Sequence, residues 1–150
     1  MESLKFAEKI IINQAPSLIF DYTQDYNNRL KWDTFLKEAR LINGATEAGK
    51  GVRAWCVAHN GLGMETEYVS YNRPKVTAIK MTKGPYLFRS FSGSWNFKEL
   101  EANETEVLFT YSFQLRFPFN LFKSQIKRNL QNNVKQRLND LKRAVEALPL

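Results

Sequence analysis

The sequence predicts an α+β domain in which a curved antiparallel sheet closes over one long C-terminal helix, with two short helices after the first strand. Three observations carry that expectation. Short alternating runs separated by turn residues fill the chain up to about Pro118. A single apolar rhythm of three- and four-residue steps follows, from Phe122 to Leu148. A long helix with one apolar stripe must bury it, and the concave face of the preceding sheet is the surface on offer. A straight helix meets a curved sheet well near one end and less well at the other, so the geometry can leave a gap.

In chain order, Leu4 to Ile12 alternates as a strand does, with Leu4, Phe6, Glu8, Ile10 and Ile12 on one side. Pro16 suits the first turn of a helix, where a missing N–H costs nothing. Leu18, Ile19 and Tyr22 continue that helix at the right spacing to about Asp25, and a second short helix is expected over residues 27–33. Four to six strands follow, punctuated by residues 44–51, 60–63, 72–74, 83–85 and 101–104. Asn120, just after Pro118, is placed as the N-cap of the last helix. Phe122, Ile126, Leu130, Val134, Leu138, Leu141, Val145 and Leu148 form its stripe, and Pro149 stops it. Helical over 121–148, it would be roughly 42 Å long. Arg128, Lys135 and Lys142 mark its solvated side.

Composition narrows the function. At 150 residues the chain fits one domain over residues 1–150, and an apolar content of 43% argues against disorder. Phe occurs 11 times, and a ring without a polar handle suits cores and oily pockets. No stretch approaches the roughly 20 apolar residues of a membrane-spanning helix. The first residues lack the apolar core of a signal peptide. The single cysteine, Cys56, excludes an internal disulfide, so a cytoplasmic setting is expected. A net charge of +7 would attract anionic partners, including an anionic membrane surface. No helix-turn-helix, zinc-finger or RNP-like pattern accompanies it, so no nucleic-acid partner is expected. Monomer and homodimer both remain open.

Several motifs reduce to structure. Residues 44–51 nearly match a phosphate-binding loop, but Gly51 stands where the magnesium-binding hydroxyl belongs, and a strand-like run follows where a helix should begin. A hairpin loop is expected there. His59 has no partner set for a metal or a triad, so no metal and no cofactor are expected. Glu65 and Glu67, with Val69 and Tyr71, are assigned to the outer face of their strand, because burying two like charges is costly. That choice turns Met64, Thr66 and Tyr68 inward.

The same parity turns Phe109, Tyr111 and Phe113 inward, between Val107 and Leu115. Phe91 points inward with Trp95 and Phe97. Arg89 shares their parity and is placed at the pocket mouth, where it could grip a carboxylate, phosphate or enolate of an oily guest. Trp32 and Phe35 are expected to cap the gap, with Phe122 and Ile126 of the long helix facing them and Lys123 and Lys127 near the same edge. Tyr68 and Tyr111 would offer hydroxyls inside.

The run Ile12-Asn13-Gln14-Ala15-Pro16-Ser17-Leu18-Ile19-Phe20-Asp21, then Asp25 and Trp32-Asp33, resembles the START-like superfamily. That superfamily includes polyketide cyclase/dehydrase-type proteins, coenzyme Q-binding proteins and the birch-pollen-allergen fold. Gly51, Gly93-Ser94-Trp95-Asn96-Phe97 and Thr105-Glu106-Val107 look like further family features. The resemblance implies a helix-grip fold with a cavity between sheet and long helix, used for lipids, sterols, quinones, plant hormones or polyketides. The acidic and histidine residues of cyclase-type chemistry are not recognisable as a set. A carrier or sensor of a small apolar ligand is therefore expected. The alternative is a cyclase or aromatase that orients a poly-ketone with Tyr68, Tyr111 and Arg89.

Overall fold

The computed structural model of the chain describes residues 2–149. Its elements run β1 (Leu4–Ile12), α1 (Pro16–Gln24), α2 (Arg29–Trp32), β2 (Leu36–Leu41), β3 (Arg53–Ala58), β4 (Gly63–Asn72), β5 (Val76–Lys83), β6 (Phe88–Glu101), β7 (Glu104–Leu115), a 3-10 turn (Phe119–Phe122) and α3 (Lys123–Glu146). The strands form one 7-stranded antiparallel sheet in the order β1-β7-β6-β5-β4-β3-β2. β1 and β2 are consecutive in sequence yet lie at opposite edges. The segment holding α1 and α2 therefore crosses the open side of the sheet and closes part of the hollow. This is the α+β helix-grip arrangement that the alternation and the long amphipathic tail predict.

β7 shows why the pattern folds this way. Thr105, Val107, Phe109, Tyr111, Phe113 and Leu115 are all buried, while the residues between them are not. Along α3, Val134, Leu138, Leu141 and Val145 are buried, each worth roughly 1.5–3 kcal/mol. The stripe then comes away from the sheet. Ile126 and Leu130 are only half-buried and Phe122 is 56% exposed. The two surfaces mate at the C-terminal end of α3 and part at its N-terminal end.

Several expectations need correction. α3 starts at Lys123, and its 24 residues make it roughly 36 Å long. Asn120 does not cap it but lies in the preceding 3-10 turn, donating its backbone N–H to Arg116 O. α2 is a single turn. The pairing of β4 with β5 shifts between Tyr68 and Ser70. This bulge turns Tyr71 inward against Phe20, 5.2 Å between centroids, and not outward with the glutamates. Lys142 is half-buried and donates to Ile11 O at 2.6 Å, so it ties α3 to β1 and does not lie on a free solvated stripe. Residues 44–51 do form the loop of the β2–β3 hairpin, with Gly44 and Gly51 at φ of 78° and 85°, where a side chain is disfavoured.

Candidate ligand cavity

Where α3 parts from the sheet, the protein encloses a cavity of about 300 Å³. Its body is apolar: Phe35 just before β2 and Leu36 at its start, Met64 from β4, Ile79 from β5, Phe91 and Trp95 from β6, Phe109 from β7 and Leu130 from α3. Gly93 lines it too, and a Cβ there would come within 3.0 Å of the Tyr111 ring, so the missing side chain leaves room for that ring. One end is rimmed by Asn60 and Leu62 of the β3–β4 turn with Gly63 at the start of β4, by Pro85 and Leu87 between β5 and β6, and by Ile126. A second hollow of about 450 Å³, bordered by Asp21, Asp25, Arg40 and Glu47, is a wetter and more open depression outside the sheet-helix gap.

The polar part of the wall is concentrated beside α2 and the middle of α3. Asp33, just after α2, is fully buried. Arg137 of α3 donates to it twice, Nε to Oδ1 at 3.0 Å and Nη2 to Oδ2 at 2.8 Å. Arg29 of α2 donates Nε to the same Oδ2 at 2.8 Å. Arg137 Nη1 also donates to the Tyr111 hydroxyl at 2.8 Å. The guanidinium of Arg137 lies 5.1 Å from the Phe35 ring centroid and 5.9 Å from that of Phe109. Arg29 lies similarly over Tyr26 and Trp32. Nearby, the Tyr68 hydroxyl donates to Gln24 Oε1 at 2.7 Å.

Charge and burial set the titration behaviour. Burial alone would push Asp33 up, but Arg137 and Arg29 outweigh it and hold its carboxyl below the ordinary value. Burial works against both guanidiniums, yet Asp33 holds each above its usual range. Burial pushes the Tyr68 hydroxyl well up, and it raises Tyr26 and the Cys56 thiol as well.

Of the residues expected at the site, Phe35, Met64, Thr66, Tyr68, Phe91, Phe109, Tyr111 and Ile126 border the cavity. The structure places the others elsewhere. Arg89 is exposed, because the β6–β7 register shifts between Phe88 and Ser90 and the bulge reverses the parity upstream of Phe91. Trp32 is buried one layer back, edge-on to Trp95 at 6.1 Å. Phe113 packs behind the wall against Phe88 and Phe91. Phe122 points to solvent because the 3-10 turn breaks the helical phase there. Arg29, Arg137, Gln24 and Tyr26 were not legible as wall residues. A usable signal existed for Arg137: it sits at helical spacing from Val134 and Leu141, beside Leu138, on the apolar side of α3.

A curled antiparallel sheet gripping one long helix around an internal void defines a helix-grip domain. The chain belongs to the family described as polyketide cyclase / dehydrase and lipid transport, whose model matches residues 3–146. That assignment agrees with the START-like resemblance of the Ala15-Pro16 to Asp33 region. Among solved structures, the ZhuI aromatase/cyclase from Streptomyces sp. R1128 superposes with a TM-score of 0.83 at 14% identity, covering 97% of this chain and 94% of that one. A START superfamily protein from Mycobacterium smegmatis gives 0.80 at 10% identity over 97% and 99%. The protein TTHA0849 from Thermus thermophilus gives 0.81 at 18% over 96% and 98%. At such identities the likeness shows a shared fold. No curated protein matches the chain by sequence.

Proposed function

We propose that this domain holds a small apolar molecule of the lipid, quinone, sterol or polyketide class in the cavity, as a carrier or sensor. The carrying observation is the character of the wall. It encloses about 300 Å³, at the lower end of the range of roughly 300–1,000 Å³ for ligand pockets, behind mainly aromatic and aliphatic side chains. No carboxylate or histidine stands in that wall among the described residues. Tyr68 and Cys56, with their protons held tightly by burial, are poor bases near neutrality. Native mass spectrometry of gently purified protein should reveal a bound apolar molecule. Protein that stays ligand-free, even after exposure to a lipid extract, would overturn the reading.

A cyclase reading is favoured by one specific contact, the cation-held phenol of Tyr111 on Arg137, which could orient a carbonyl of a bound poly-ketone. Turnover of a model poly-ketone that collapses in Tyr111→Phe would establish it.

Loading also has structural support. Arg116 donates to Tyr86 O and Phe88 O, which fixes the turn after β7 beside the 85–87 rim. That turn exposes Phe117, Leu121 and Phe122, and Arg116, Lys123 and Lys127 are its basic neighbours. An apolar tip in a basic collar suits transient docking on an anionic bilayer. No helix among the described residues is long and apolar enough to cross one. The lone Cys56 suits a reducing, cytoplasmic place of work.

A further inference from the structure

We infer that the guest is an amphipathic anion whose charged group sits on Arg29 and Arg137 while its apolar body fills the rest of the cavity. The inference rests on the cavity reading and adds the chemical class of the ligand.

The first support is a charge count. Two guanidiniums, Arg29 and Arg137, share one carboxylate, Asp33, so the cluster carries one positive charge in excess. Their side chains are 12%, 9% and 0% exposed respectively, which makes that excess a buried one. Nearby acids are committed elsewhere. Asp140 on α3 accepts from Thr34 and Gln136 and faces Arg143, and Glu38 on β2 pairs with Arg40. The rings of Phe35, Phe109, Tyr26 and Trp32 favour a cation over their faces but do not neutralise it. A buried charge without its counter-charge is costly, so the arrangement favours a guest that brings one.

The second support is position. Arg29 and Arg137 are the charged members of the cavity wall among the described residues. Asp33 does not reach the cavity but stands behind them, engaging one Nε of Arg29 and one edge of Arg137. A guanidinium has N–H groups to spare beyond these. Arg29 has the Tyr26 hydroxyl and the Cys56 thiol as further polar neighbours, and neither carries a negative charge that would balance it. A planar carboxylate, a sulfonate or an enolate could take both cations at once. Arg137 lies roughly 16 Å along α3 from Ile126 at the rim. A guest entering there would therefore place an apolar body against Met64, Ile79, Phe91 and Leu130 and its head against the arginines. Gripping an anion is the role that strand parity gave to Arg89, which the β6 bulge sends to the outer surface.

Two matched probe pairs test this. 1-Anilinonaphthalene-8-sulfonate and N-phenyl-1-naphthylamine share a skeleton and differ by the sulfonate. Dodecanoate and 1-dodecanol compete as an aliphatic pair. Fluorescence titration should show the anion of each pair bound about 10- to 100-fold more tightly, the range expected of one charge-assisted hydrogen bond. The ratio should persist at 0.5 M NaCl and in Arg89→Ala, since surface attraction is screened and a buried one is not. It should collapse towards one in folded Arg29→Met. A wild-type ratio near one, a ratio lost with salt, or a ratio unmoved by Arg29→Met overturns the inference while leaving the cavity reading intact. Failure of all four probes to bind overturns the cavity reading as well.

Discussion

Replacing Asp33 by alanine should cost about 3–5 kcal/mol of stability, the usual price of breaking a buried ion pair from one side. Its carboxylate accepts from Arg137 Nε and Nη2, from Arg29 Nε and from the Phe35 backbone N–H at 3.3 Å. Summed at roughly 1.5–3 kcal/mol per charged bond, the three arginine contacts would exceed that figure. Water entering the vacated space should recover part of the loss. Urea denaturation followed by circular dichroism is the assay. With a slope of about 2 kcal/mol per molar, the midpoint should fall by roughly 1.5–2.5 M. A double-mutant cycle with Arg137→Met should return a coupling of about 1–3 kcal/mol. Acid should separate the variant from wild type. Asp33 has a lowered pKa in the fold, so its contribution is fully present above the unfolded carboxyl value and is lost as pH falls through the folded one. The variant should therefore lose less stability than wild type on acidification below about pH 4. A loss under about 1 kcal/mol, or a coupling near zero, would refute the electrostatic account of this cluster.

Two further outcomes probe the gap and its rim. Leu141→Ala should cost about 2–5 kcal/mol, because Leu141 is fully buried where α3 meets the sheet. Ile126→Ala, at the parted end, should cost distinctly less, and equal losses in urea titrations would mean that the helix mates along its whole length. Leu121→Ser with Phe122→Ser should weaken sedimentation with anionic vesicles several-fold. Its stability in urea should stay within about 0.5 kcal/mol of wild type, since both side chains are exposed. Undiminished vesicle binding would remove the tip from the loading step.

Much of the fold was legible because its signals are periodic. β7 alternates without a fault, and the stripe from Val134 to Val145 has one burial solution. What parity could not foresee were the bulges. One extra residue near Tyr68 turned Tyr71 inward, and one near Arg89 turned that arginine outward. Both errors come from extending a period of two through an irregular register. The 3-10 turn likewise broke the helical phase that places Phe122 over the cavity. The apolar half of the wall was thus readable from alternation. The charged half was harder to read: Asp33 sits in the Trp32-Asp33 pattern and Arg137 on the apolar side of α3, but their meeting with Arg29 exists only in the folded chain.

The place where they meet bears on how the cavity survives. Protein interiors close-pack, and an apolar gap with soft walls tends to close on itself. Here α2, with Arg29 and its C-terminal neighbour Asp33 bonded to each other, is pinned to the middle of α3 through Arg137, whose remaining bond reaches Tyr111 on β7. Directional bonds of this kind fix the spacing between helix and sheet, which apolar contacts alone would let shrink. The rings that pack edge-on along the wall, Trp95 on Phe109 at 4.4 Å and Phe109 on Tyr111 at 4.7 Å, are stiff spacers of the same sort. One cluster therefore serves both stability and recognition. A guest that supplies the missing negative charge would bind the very residues that hold the hollow open, and by mass action it would raise the melting temperature with its concentration. An uncharged guest of equal size would fill the same space without reaching that support.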